Sequence, residues 1–180
     1  LALQLPMGIY IFVTRIVRDS RFGDFCKKLR RTDPLLSTDE LAADFESRIR
    51  GFFLSDESDN IRFISGVKPG QYTDVADVRI AQYKSLNMVP TQGLSVIRTH
   101  VILELIRVRN GRLLREKKPF AIDFYRSSAV KTDLHTEKEV FTCPSCAGTL
   151  SILDGGHCNF CGSTTDLSAY GWVLGAVVAE

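Results

Sequence analysis

The sequence predicts an α+β fold carrying a small metal-binding insert, and three stretches carry that prediction. Residues 37–53 have the start signal and the periodicity of one amphipathic helix. Residues 96–126 alternate apolar and polar side chains on either side of Asn110-Gly111, the pattern of a long antiparallel hairpin. Residues 143–161 hold two Cys-x-x-Cys pairs separated by eleven residues. A capped helix ahead of a run of antiparallel strands belongs to the α+β class, and 180 residues suffice for one ordinary domain with a small appendage.

The helix follows a break at Asp33-Pro34, because the residue before a proline is pushed out of the helical region. Ser37 at the cap and Glu40 three residues on form a capping box. Leu41, Phe45, Ile49, Phe52 and Phe53 recur at helical spacing, so this aromatic stripe reads as core rather than as a cofactor site. A polar run over 55–60 ends the helix.

From about residue 74 the texture turns to strands. The stretch 75–83 is rich in branched residues, and 96–108 places Ile97, Val101, Leu103 and Leu105 on one face. The return arm, 112–126, alternates Phe120, Ile122 and Phe124 with Ala121, Asp123 and Tyr125. Residues 127–138 are polar and read as a loop, 139–142 as a lead into the cysteines, and 170–179 as a final strand with Trp172, Leu174 and Val177. No internal repeat is visible.

Cys143, Cys146, Cys158 and Cys161 have the spacing of a zinc ribbon, in which four thiolates surround one ion at about 2.3 Å. Thiolate is a soft ligand that suits zinc, and Pro144 and Gly162 are turn formers where each knuckle must bend. Two disulfides are the alternative; the doubled motif at this separation favours metal. Four cysteines close the coordination shell, so the single Zn2+ is expected to be structural, and His157 is read as a neighbour rather than a ligand. Its binding free energy then becomes folding free energy for a segment too short to build a core. Because the ribbon links 139–142 to 170–179, it is also expected to fix the register of those two strands.

Residues 1–17 are apolar almost throughout, but too short, with Gln4 and Pro6, to cross a bilayer alone, which takes about 20 residues. The chain begins with Leu, so an upstream segment is expected. Arg18, Arg21, Lys27, Lys28, Arg30 and Arg31 follow as a cationic flank of the kind found on the cytoplasmic side of membrane helices. Three readings stay open: the end of a membrane span, a helix lying on an anionic surface, or a helix docked on the domain with its cations solvated. On this basis residues 1–32 form an N-terminal segment and residues 33–180 the domain, with the ribbon inserted at about 140–166.

Composition narrows the function. A net charge of +2 is too small for a dedicated nucleic-acid binder, and 24% charged with 44% hydrophobic residues is a globular balance. Four cysteines assigned to metal and a fifth, Cys26, without a partner point to a reducing compartment. Arg107, Arg109, Arg112, Arg115, Lys117 and Lys118 crowd both arms of the hairpin. They are a candidate surface for acidic lipids, RNA or an acidic protein, or else solvated charges that discourage edge pairing. Aromatics are not interleaved among them as single-strand binders require, so a nucleic-acid partner is disfavoured.

The second half of the chain resembles a known family. Phe120-Ala-Ile-Asp-Phe-Tyr-Arg126, then the four-cysteine insert, then Tyr170-Gly-Trp-Val-Leu174 is similar to the closing strands of the Tim-forty-four-like domain, whose bacterial members carry a ribbon just before the terminal strand. Asp33-Pro34 and the Ser37 helix resemble its entry, and the similarity spans about 33–180, weakly between 55 and 95. The resemblance implies a cone-shaped fold of the nuclear-transport-factor-two type, helices packed into a curved antiparallel sheet, with membrane association and protein or ribosome partners. Ala147-Gly148 reverses the Gly-Ala order common in the family, so the first knuckle is expected to bend differently, and any pocket closed by the apolar helix is expected to be small.

Cone folds of this type also host enzymes, and Asp123, His100, Glu104, Tyr83 and Tyr125 are the sheet residues that could supply an acid–base pair. Each is expected on the outer face, and no phosphate-cradling loop or nucleophile motif accompanies them. The expectation is therefore a non-catalytic, membrane-associated docking or scaffold domain, in the cytoplasm or on the cytoplasmic side of a membrane. A ligand or enzyme pocket near Asp123 and His100, or a nucleic-acid or ribosome module at the hairpin, are the alternatives.

Overall fold

The computed structural model of the chain describes residues 20–54, 65–66, 71–132, 140–151, 158–169 and 171–180. The apolar segment 1–17, the polar run 55–60 and His157 lie outside them. Two helices, α1 (Ser20–Leu29) and α2 (Thr38–Leu54), precede three long strands: β1 (Val75–Pro90), β2 (Leu94–Arg109) and β3 (Arg112–Ser127). Short strands β4 (Val140–Thr142) and β5 (Thr149–Ser151) and a 3-10 turn (Leu167–Ala169) lead to β6 (Val173–Ala179). The main sheet is antiparallel throughout, in the order β1-β2-β3-β6, and β4 pairs only with β5 in a sheet of its own. This is the α+β class read from the sequence.

Helix α2 starts as its cap predicts. The Ser37 hydroxyl accepts from the Glu40 amide at 3.3 Å, satisfying one of the free N–H groups of the first turn. Its stripe of Leu41, Phe45, Ile49, Phe52 and Phe53 is buried in full. Helix α1 contributes Phe22, Phe25, Cys26 and Leu29 to the same core, so the domain begins upstream of the expected boundary at 33. Two members of the cationic flank are tied to the domain's own backbone: Arg21 donates to the Lys84 carbonyl at 2.8 Å on the surface, and the half-buried Arg30 to the Leu36 carbonyl at 2.9 Å.

The sheet presents one face to these helices. Ile97, Thr99, Val101, Leu103 and Leu105 of β2 and Phe120, Ile122 and Phe124 of β3 are buried in strict alternation. Strand β1 is longer than its branched stretch suggested. Its inward set, Val75, Val78, Ile80, Tyr83 and Leu86, steps by three at every interval but one. Each step of three crosses one of three register shifts, at Val75/Asp77, Ile80/Gln82 and Tyr83/Ser85. An extra residue at each bulge restores the inward direction and bends the strand toward the helices. The interior is then filled by rings. Phe45 stacks on Phe124 at 3.7 Å between centroids, Phe22 stacks on Tyr83 at 4.7 Å, and Phe53 meets Phe120 edge-on at 5.6 Å.

One buried ion pair ties the two ends of the domain. Asp33 is 1% exposed and receives Arg126 at 2.7 Å, while the Thr132 amide and hydroxyl donate to it at 3.0 and 2.8 Å. The Arg126 guanidinium lies 4.5 Å from the centre of the Trp172 ring. Burial pushes the Asp33 carboxyl up, but the donors from Arg126 and Thr132 outweigh it and hold it below the ordinary range.

Two glycines serve the β6 edge. Ser65 bridges to β6, accepting from the Val177 amide at 3.0 Å, and Gly66 follows with φ 89° where a Cβ would sit 2.7 Å from the Val177 carbonyl oxygen. Gly175 forms a bulge opposite β3, and a Cβ there would meet the Tyr125 ring at 2.8 Å.

Candidate metal centre

The four cysteines expected to bind metal come together. Their sulfurs all lie within 4.8 Å of one another, with Cys143 to Cys161 at 3.7 Å and Cys146 to Cys158 at 3.6 Å. All four are free thiols rather than disulfides. A tetrahedron of sulfurs about 2.3 Å from a central ion has edges of about 3.8 Å, so the two cross-knuckle distances already match a metal site.

The backbone explains the convergence. In the first knuckle the Ala147 amide donates to the Cys143 carbonyl at 2.8 Å, and the Cys143 amide to the Gly148 carbonyl at 2.7 Å. In the second, the Gly162 amide donates to the Cys158 carbonyl at 2.8 Å, and the Cys158 amide to the Ser163 carbonyl at 2.9 Å. The two turns are copies of one another. Ala147 takes the left-handed conformation of its counterpart Gly162, φ 59° against 72°. The first knuckle therefore bends as the second does, and its alanine accepts a strained backbone to do so. The glycine is needed one residue later, since a Cβ on Gly148 would stand 2.6 Å from the Phe160 ring.

Strand β4 delivers Cys143 and β5 leaves the first knuckle, so that knuckle is the turn of a hairpin. The ribbon thus forms its own sheet and does not set a register between β4 and β6, contrary to the sequence reading: β6 takes its register from β3. Among the described residues of the ribbon, Cys143, Leu150 and Cys158 are buried, as a cluster apart from the main core.

The thiols respond to their crowding. The Ser163 hydroxyl, 3.2 Å from the Cys143 sulfur and 3.1 Å from that of Cys161, leads in lowering both thiols, Cys143 to about 6. At Cys146 the Gly148 amide acts to lower the pKa, but the sulfurs of Cys161, Cys158 and Cys143, together with burial, carry it to about 12. Four thiolates this close repel one another unless a cation sits among them, and a bound divalent ion supplies that charge. Ser163 was not singled out from the sequence; its place two residues after the last cysteine was the available signal.

The remaining candidates separate. Arg107 points into the domain, binding both carboxylate oxygens of Asp74 and reaching Glu116 at 3.3 Å. Hydrogen bonding from Arg107, then from Arg109, holds the Asp74 carboxyl at about 2. Arg109 donates to Asp74 at 2.9 Å, Arg115 lies 3.8 Å from Glu104, and Lys118 3.2 Å from Glu116. Arg112 and Lys117 have no ion pair among the described residues. On the outer face Asp123 is clamped by Arg98 at 2.8 and 2.7 Å, and His100 meets Glu180 at 2.6 Å. Glu104 and Tyr125 also lie on the outer face, but Glu104 is buried there beneath Arg79 and Arg115, and Tyr83 is buried against Phe22, both contrary to their expected exposure. Among the described residues no helix is long and apolar enough to cross a membrane.

The chain matches no protein-family model, no curated protein and no solved structure.

Proposed function

We propose that this chain is a non-catalytic docking or scaffold domain whose ribbon is held by one structural Zn2+, and that it works at the cytoplasmic side of a membrane. The convergence of four sulfurs from two matching knuckles carries the reading. Four protein thiolates complete a tetrahedral shell and leave no position for a reacting water, which a catalytic zinc requires. Cys143, Cys146, Cys158 and Cys161 are the ligands, and Ser163 orients two of them. Thiolate donors favour zinc over harder divalent ions.

Two further observations support docking over catalysis. The space between helices and sheet is packed with the rings of Phe22, Phe45, Phe53, Phe120 and Phe124. Asp123 and His100, the residues an enzyme would use, are on the other face and engaged with Arg98 and Glu180. Two helices across one face of a bulged antiparallel sheet are compatible with the nuclear-transport-factor-two cone, and we assign the chain to that fold and to the Tim-forty-four-like family on the resemblance of its closing strands. The apolar residues 1–17 and the cations after them motivate the membrane setting.

X-ray absorption of the purified protein tests the zinc role: about one zinc per chain with four sulfur neighbours is expected. An oxygen ligand in that shell would return the case to a metalloenzyme. Fractionation of cells tests the setting, and recovery of the protein wholly in the supernatant after low-salt lysis would end the membrane half.

A further inference from the structure

The basic hairpin carries something its charges conceal. Leu113 is 73% exposed, and Leu114 and Val108 beside it are nearly half exposed, at the far end of the two longest paired strands. Asn110 and Gly111, both at positive φ, close the two arms in a tight turn; β1 ends alongside Arg107 and Val108, where the Val108 amide donates to the Asp74 carbonyl at 2.7 Å, while β6 stops at Phe120 and leaves the Leu113–Leu114 arm without a second neighbour among the described residues. Val108 pairs with Leu113 on the outer face, and Leu114 pairs with Arg107 on the opposite face. Apolar surface therefore wraps both sides of the tip. Exposing large aliphatic side chains at a turn stabilises nothing within the domain.

Cations stand on both sides of the leucines. Arg115 follows Leu113 by two residues and Lys117 by four, which at about 3.3 Å per residue sets them roughly 7 and 13 Å behind Leu113. Arg109 and Arg112 flank the turn itself. Among the described residues six cations here face three carboxylates, Asp74, Glu104 and Glu116, and Asp74 is occupied chiefly by Arg107. The positive excess falls on Arg112 and Lys117, which have no ion pair among the described residues.

We propose that this tip, Val108, Leu113 and Leu114 with Arg112, Arg115 and Lys117, inserts into the headgroup region of an anionic bilayer. The inference rests on the docking reading above and names its surface. An interfacial element sinks its apolar part about 5–10 Å below the headgroups, so cations some 7 Å behind Leu113 arrive at the level of lipid phosphates. RNA would engage the cations but offers nothing to Leu113 and Leu114. An acidic protein would need a cleft open to both faces of the finger.

The test uses the full chain carrying Leu113→Trp, with the buried Trp172 as a constant background. Phosphatidylcholine vesicles containing phosphatidylglycerol should shift emission from position 113 to the blue, and brominated acyl chains should quench it. Vesicles of phosphatidylcholine alone should do neither. In the otherwise native chain, Leu113→Ser/Leu114→Ser should weaken binding to the anionic vesicles about tenfold or more, and Arg112→Gln/Arg115→Gln/Lys117→Gln by a similar or larger factor that disappears at high salt. These side chains are exposed, so an unchanged near-ultraviolet circular dichroism spectrum should accompany each variant. Vesicle binding in which position 113 stays in water, carried by residues 1–17 alone, overturns the proposal. So does protection of position 113 by RNA or an acidic protein but not by lipid. The acidic-protein outcome would leave the docking reading standing, whereas an oxygen-ligated zinc would remove that reading and leave this one.

Discussion

The main sheet and the ribbon are built on antiparallel hairpins, yet they hold together by different means. In the sheet domain each strand presents buried side chains to two helices, and rings from α1, α2, β1 and β3 interlock. Among its described residues the ribbon buries Leu150 and the two cysteines Cys143 and Cys158. One buried leucine contributes about 2 kcal/mol, while ordering a residue costs roughly 1–2 kcal/mol. Such a hairpin cannot order itself on apolar burial, and a metal contributing roughly 10–16 kcal/mol through four thiolates can. One region is a core; the other is a coordination sphere with a short chain wrapped around it.

Chelation gives the largest separation between the two. Removing zinc, or replacing Cys158 by Ser, should abolish order across the ribbon, read as loss of amide protection at Cys143–Thr149. Trp172 packs on Phe45 in the main core, so its near-ultraviolet dichroism should persist. Loss of both signals together would show that the regions fold as one. The reciprocal experiment is Phe45→Ala, which removes the ring between Phe124, Phe22 and Trp172. It should cost about 3–5 kcal/mol in denaturant unfolding while zinc affinity stays unchanged.

Asp33→Ala should follow at about 3 kcal/mol, since it leaves the Arg126 charge buried without its partner. The same pair sets the acid response. The folded carboxyls of Asp33 and Asp74 lie below their unfolded values, so the unfolded chain binds more protons as pH falls. Their contribution is complete above about pH 4 and is lost as pH drops toward 2, the value to which Asp74 is held. Urea melts at descending pH should show that slope, and Asp74→Asn should flatten it. The smallest effect belongs to Ala147→Gly, which relieves a left-handed alanine. Strain relief of about 1–2 kcal/mol, offset by roughly 0.4–1 kcal/mol of unfolded-chain entropy, should leave zinc bound a few-fold more tightly in a competition titration.

The comparison also explains what could be read from the chain. The α2 stripe, the alternation along β2 and β3, the Asn110-Gly111 turn and the cysteine ligands are local periodicities, and local patterns survive in sequence. Strand β1 was cut short because three bulges break its period of two. Helix α1 is harder to read because Lys27 and Lys28 make its exposed side a cationic flank, while Phe22, Phe25, Cys26 and Leu29 at helical spacing form the buried side. Asp33 read as punctuation before Pro34, whereas its partner is 93 residues away. One clue was present: Arg126 continues the inward series of Phe120, Ile122 and Phe124, and a charge in that series needs a counterion.

That 93-residue span has a consequence during synthesis. A ribosome adds about 5–20 residues per second, so Asp33 emerges roughly 5–20 s before Arg126 can reach it. During that interval the phenylalanines of α1 and then of α2 emerge, followed by β1 and β2, while Phe124, Trp172 and strand β6 are still to come. Until they arrive Phe45 lacks both rings it will pack on, and the helices wait, with part of their aromatic stripe uncovered, for a sheet that is still being made.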